Sequence, residues 1–174
     1  MYAHDTLVPG STRRRPGPLK PARKAASHRR YRRALNFEKY AADGNRFIAA
    51  VAAQLDCDRN YAARVTRAVL HAVRDRIPLH DAVQFAQGLP LMIKGVYFDQ
   101  YDISTVPVHI RRPGDFIDFV RYKNGRSGWR DFPGDKDVED AIAAVFRVLE
   151  RTMDYGQVEQ IKRTFNEELV YLLY

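Results

Sequence analysis

The sequence predicts an all-α protein, with two homologous helical repeats packed into one bundle-like domain behind a basic N-terminal arm expected to be disordered. Three observations lead there. Apolar residues recur at three- and four-residue spacing after Asn36, residues 1–34 lack such periodicity, and the apolar positions of the first half return in the second at a fixed offset.

Residues 1–34 interleave Pro9, Pro16, Pro18 and Pro21 with Gly10 and Gly17 and carry no apolar stripe, so they offer nothing that offsets the entropy of ordering them. At Asn36 the character changes. Asn36 is a good N-cap, and Phe37, Tyr40, Phe47, Ile48, Val51 and Leu55 follow on helical spacing, which predicts a helix over 37–55 with Gly44 as its weak point. Asp58 is placed to cap the next helix. There Val65, Ala68, Val69, Ala72, Val73 and Ile77 form the apolar stripe, and Arg64, Arg67, Arg74 and Asp75 lie off it. Pro78 ends that helix, because an interior proline lacks the donor and crowds the preceding turn.

Two shorter helices are expected over 79–88 and 90–98, with Gly88 as the stop between them and Pro90 in a tolerated first-turn position. Residues 99–112 alternate only weakly and contain Pro107, so they read as an extended connection and at most an isolated strand. A helix from about Pro113 carries Phe116, Ile117, Phe119 and Val120, and the run KNGRSGWRDFPG from Lys123 to Gly134 reads as a loop.

At an offset of 76, Val69 matches Val145, Leu70 Phe146, Ala72 Val148, Val73 Leu149, Ile77 Met153 and Leu79 Tyr155. The same register continues past the helix break with Ala82 and Val158, Phe85 and Ile161, Leu89 and Phe165, Ile93 and Leu169, and Val96 and Leu172. Upstream, Phe47, Ile48 and Val51 match Phe116, Ile117 and Val120 at an offset of 69, so the second copy holds seven extra residues in the 123–134 segment. Either unit alone would leave its stripes in water, whereas two packed together close a core of ordinary domain size. The expected organisation is the arm 1–34, a first repeat 35–98, a linker 99–112 and a second repeat 113–174, with 35–174 as one domain.

Charge is distributed unevenly along the chain. Residues 1–35 hold ten bases (Arg13, Arg14, Arg15, Lys20, Arg23, Lys24, Arg29, Arg30, Arg32 and Arg33) and one acid, Asp5, leaving 19 bases and 20 acids for the rest. The arm is thus a candidate for weak, non-specific contact with nucleic-acid phosphates. Two plainer readings stand beside that one: a solvated tail, or residues not made in the cell, since no methionine falls between Met1 and Met92. The lone Cys57 excludes an intrachain disulfide and a cysteine-based zinc site, and fits a reducing, cytoplasmic setting. No stretch approaches the roughly 18 apolar residues of a bilayer span. Polar Asn36 and Glu38, close behind the arginine pairs at 29–30 and 32–33, fall where an export signal needs an apolar run.

The segment Arg67 to Pro78, RAVLHAVRDRIP, resembles the signature of a bacterial family known as domain of unknown function 2267. The likeness extends through Leu35-Asn36-Phe37, Lys39-Tyr40-Ala41, Gly44-Asn45, Leu89-Pro90, Lys94 to Tyr97, Val106 to Arg111 and Ala144 to Leu149, covering nearly all of 35–174. It implies a two-repeat helical domain and no established activity, and it brings no catalytic residues. Asn166 and Tyr101 depart from it, standing where proline and tryptophan are usual.

No metal or cofactor site and no catalytic residue is expected. His4, His28, His71, His80 and His109 do not pair at ligand spacing, and His71 reads as a solvated or capping side chain. Asp131, Asp135, Asp137, Glu139 and Asp140 lack the glycine of a calcium loop and suit a helix start instead. Cys57, beside a helix start, is the one candidate nucleophile. No glycine-rich phosphate loop or hydrolase motif occurs. Tyr97, Phe98, Tyr101, Trp129 and Phe132 form a candidate partner surface. These features point to a non-catalytic module that binds a protein partner or another copy of itself, with nucleic-acid association through the arm as the alternative.

Overall fold

The computed structural model describes residues 35–174, and the arm with its ten bases lies outside the described residues. Among the described residues every regular element is helical and none is a strand. None of these helices is long and apolar enough to cross a membrane.

Local signals set the first boundaries. Helix α1 (Phe37–Leu55) starts where the Asn36 side chain accepts the Lys39 amide at 2.9 Å. Helix α2 (Arg59–Arg76) starts where Asp58 accepts the amides of Asn60 and Tyr61. Between them Asp56 takes a left-handed conformation at φ 48°, which short polar side chains tolerate. Gly44 does not interrupt α1; it is buried, and a Cβ there would press on Met92. Its role is close approach of another helix.

Helices α3 (Leu79–Gly88) and α4 (Leu91–Phe98) begin directly after Pro78 and Pro90. Residues 99–112 form an irregular connection with a cis Val106–Pro107 peptide, tied to the end of α2 by the Val108 amide donating to the Asp75 carbonyl at 2.7 Å. Helix α5 (Pro113–Lys123) follows with proline in its first turn.

The 123–134 segment corrects the sequence expectation of a loop. It folds as a 3-10 turn (Gly125–Ser127) and a short helix α6 (Gly128–Asp131), and Phe132 is fully buried. The cause is tertiary. Arg64 of α2 donates to both Asp131 carboxylate oxygens at 2.7 and 3.0 Å, Asn124 donates to Oδ2 at 3.0 Å, and the Tyr61 hydroxyl donates to the Asp131 carbonyl at 2.9 Å.

Helices α7 (Asp135–Thr152), α8 (Tyr155–Arg163) and α9 (Glu167–Val170) complete the chain with a last 3-10 turn, Tyr171–Leu173. Helices α2 and α7 are both 18 residues long and start 76 positions apart, as do α3 and α8, and α4 and α9. Nine of the eleven pairs matched at that offset are buried in both members; Leu79 and Tyr155 are exposed in both, and Val96 is exposed where Leu172 is buried.

Helix α2 is the centre of the bundle and packs against α1, α4, α5 and α7. Contacts also join α1 to α7 and α3 to α8, so one apolar core runs through both halves. Enclosure of α2 on several sides overturns one sequence expectation. Arg74 and Asp75, read as lying off the apolar stripe, are buried at 1% and 5% exposure. A single-stripe reading assumes a helix with one covered face, and this helix has more.

Candidate functional site

Burial corrects the candidate aromatic surface. Tyr97 and Phe132 are wholly buried and cannot meet a partner. Tyr97 sits on the inward side of α4, its hydroxyl donating to the Ala82 carbonyl at 3.1 Å and its ring against Phe85 and Phe98. Burial pushes its phenol far above the usual range, so it stays neutral. Phe132 is held beneath Arg121, whose Nε donates to its carbonyl at 3.3 Å. Phe98 and Trp129 remain exposed, Tyr101 is half-buried, and Trp129 lies under the Arg121 guanidinium at 4.7 Å.

Tyr101 packs instead on a buried polar cluster that sequence reasoning missed. The Arg74 guanidinium lies 4.4 Å from the Tyr101 ring centroid. It donates to the carbonyls of Tyr97 and Asp99 at the end of α4, and through Nε to Asp75 at 2.6 Å. Asp75 also meets Lys123 of α5 at 2.5 Å. One carboxylate between two cations, with carbonyls taking further N–H groups, is how a buried charge becomes tolerable. The cluster ties α2 to α4 and α5.

His71 is buried, not solvated, because α4 covers its side of α2. Its Nε2 lies 2.7 Å from the Val96 carbonyl, so the neutral ring carries its proton there and donates. Burial chiefly holds its pKa below the usual value, outweighing that hydrogen bond.

Cys57 is half-buried, and burial followed by the charges of Asp58 and Asp56 pushes its thiol up, the reverse of what a nucleophile needs. Asp131 is held below the usual carboxylate range, first by the Arg64 hydrogen bonds. Asp135 pairs with Arg121 at 2.5 Å, and Asp137 accepts the Gly134 amide at 2.7 Å, as a carboxylate does at a helix start. Among the described residues no three His, Cys, Asp or Glu side chains are grouped to hold a metal.

What the structure leaves open is an apolar helix face. Helix α4 buries Ile93 and Tyr97 and turns Leu91, Met92, Val96 and Phe98 outward, with Leu91 and Met92 each 49% exposed. On α3, Leu79 and Val83 are exposed as well. Among the described helices these are the exposed large aliphatic side chains, the other exposed large hydrophobics being aromatic. Seventy-six positions on, Val83, Leu91 and Met92 have as counterparts Glu159, Glu167 and Glu168. These three positions in the second half are therefore acidic. Phe98 is the one member of the candidate aromatic group on this face. The signal that would have found Leu91, Met92 and Val96 was the loss of polar residues from the outer positions of 91–98.

No curated protein matches the chain. A family model does, over residues 44–172, and its description is Uncharacterized conserved protein (DUF2267).

Proposed function

The chain belongs to this family of uncharacterized conserved proteins, and from that premise we propose that it is a non-catalytic helical module that binds a protein partner or a second copy of itself. We infer also that it is a duplicated unit in which one copy kept an acidic outer surface and the other became apolar. The observation that carries the reading is the α4 face. Leu91, Met92 and Val96 are half-exposed aliphatic side chains, and two of their three counterparts are glutamates. Covering such a face stabilises an association by about 25 cal/mol for each Å² of apolar surface removed from water, less the cost of ordering the partners.

The experiment is light scattering behind size exclusion over a concentration series, with a pull-down from the native lysate, for the wild type and for L91E/M92E. That double substitution writes the second half's residues into the first. The expected result is an association that the variant loses, while its thermal midpoint stays close to the wild type, since exposed substitutions cost within about 0.5 kcal/mol. A 20.1 kDa monomer at every concentration, together with captured proteins that are the same for both forms, would end the proposal.

The charge of residues 1–34 favours a second reading, contact with nucleic-acid phosphates. Such binding weakens steeply with salt. A DNA shift assay at graded salt, with the ten arm bases replaced by glutamine, separates the two readings; unchanged binding by the replaced form would exclude the arm.

A further inference from the structure

We propose that the cavity between the end of α2, the 107–111 connection and the α8–α9 turn is a binding site for a small organic phosphate. The cavity holds about 410 Å³, within the range of roughly 300–1,000 Å³ typical of small-molecule sites. Three separate segments each bring an arginine to it: Arg76 from α2, Arg111 from the connection and Arg163 from the last turn of α8. No aspartate or glutamate lines it.

Arg76 is the distinctive member. It is half-buried, with its guanidinium 4.1 Å from the Phe165 ring centroid, and its Nε and Nη1 donate to the carbonyls of Ile110 and Thr164 at 3.3 and 3.0 Å. The fully buried Arg and Lys side chains among the described residues each have a carboxylate: Arg74 has Asp75, Arg121 has Asp118 and Asp135, and Lys162 has Glu150 and Glu159. Among the described residues Arg76 has none within ion-pair distance, and its Nη2 makes no hydrogen bond there. Burial alone depresses its pKa, the signature of a cation without compensating charge.

The plainer account is that Arg76 closes the corner by tying two carbonyls together. A related corner, between the end of α7, the α3–α4 turn and α1, has no arginine at the position equivalent to Arg76. Positions 76 away from Thr164, Phe165, Asn166 and Arg76 are Gly88, Leu89, Pro90 and Thr152, and those four line a second cavity of about 510 Å³. There Thr152 turns its hydroxyl back to the Val148 carbonyl at 2.6 Å, Arg46 is neutralised by Asp43, and Arg151 completes the charged lining. This corner thus has a threonine where the other has Arg76, and it carries an acid, Asp43, where the three-arginine cavity has none. Guanidinium groups favour phosphate because their planar N–H pairs match two oxygens at once. Apolar walls from Pro78, Pro107 and Phe165 suit a flat organic body attached to that head.

The test titrates the full chain with inorganic phosphate and with phenyl phosphate at constant ionic strength, following amide shifts by two-dimensional NMR. Shifts are expected at 108–111 and 163–166, with phenyl phosphate binding the tighter of the two. Replacing the two exposed arginines (R111A/R163A) should weaken phenyl phosphate tenfold or more, by roughly the energy of charged hydrogen bonds, while R126A, on a distant exposed turn, should change nothing. Shifts confined to other residues, the arm included, would overturn the proposal. So would an equal loss in R126A, or phenol binding as well as phenyl phosphate.

Discussion

At the scale of single residues, the charged groups of α2 show how little a side chain's type says about its surroundings. Arg74 and Arg67 stand seven positions apart on one helix, yet the first is enclosed by α4 and two tyrosines and the second is not. His71 shares the enclosed side, and its burial has a pH consequence. Its folded pKa lies below its unfolded value of about 6.5, so protonation favours the unfolded chain. The stability that depends on the neutral ring is complete above pH 6.5 or so and is lost as pH falls below that value towards the folded pKa. Urea midpoints between pH 7.5 and 5 should therefore fall for the wild type and fall less for H71Q, whose amide N–H can still reach the Val96 carbonyl. Equal slopes for the two forms would show that His71 does not carry the effect.

At the scale of elements, capping residues and prolines set where helices begin and end, and their effects are local. Asn36, Asp58, Pro78 and Pro90 lie beside the boundaries they predict. The inserted segment behaves differently because tertiary partners order it. Gly128 opens α6, and a Cβ at that position would overlap the Arg121 carbonyl oxygen, which belongs to backbone and has no room to swing away. G128A should cost about 1–3 kcal/mol, as overpacking does, seen as a lower urea midpoint with an unchanged m-value. Gly95, where a Cβ would meet nothing within 4 Å, provides the control. G95A should match or exceed wild-type stability, since alanine is the better helix former.

At the scale of the molecule, the two halves share side chains across one core instead of meeting at a flat seam. Helix α2 of the first half packs on α5 and α7 of the second, and α1 packs on α7. Residues 35–98 and 113–174 should accordingly unfold together. Calorimetry is expected to give one transition for them with matching calorimetric and van't Hoff enthalpies. Two resolved transitions, one abolished by V65A in α2 and the other by I142A in α7, would refute the shared core.

The sequence by itself determined the helical class, the boundaries of α1 to α5 and the order of the apolar positions, because caps, prolines and 3.6-residue spacing act between residues close along the chain. Only the tertiary structure decided that Tyr97 and Phe132 are core while Leu91 and Met92 are surface, and that Arg76, Arg111 and Arg163 share one cavity. Periodicity identifies one apolar face of a helix. How many of its faces are covered, and which distant segments meet there, follows from the packing of neighbours far away in the chain, and no local pattern records it.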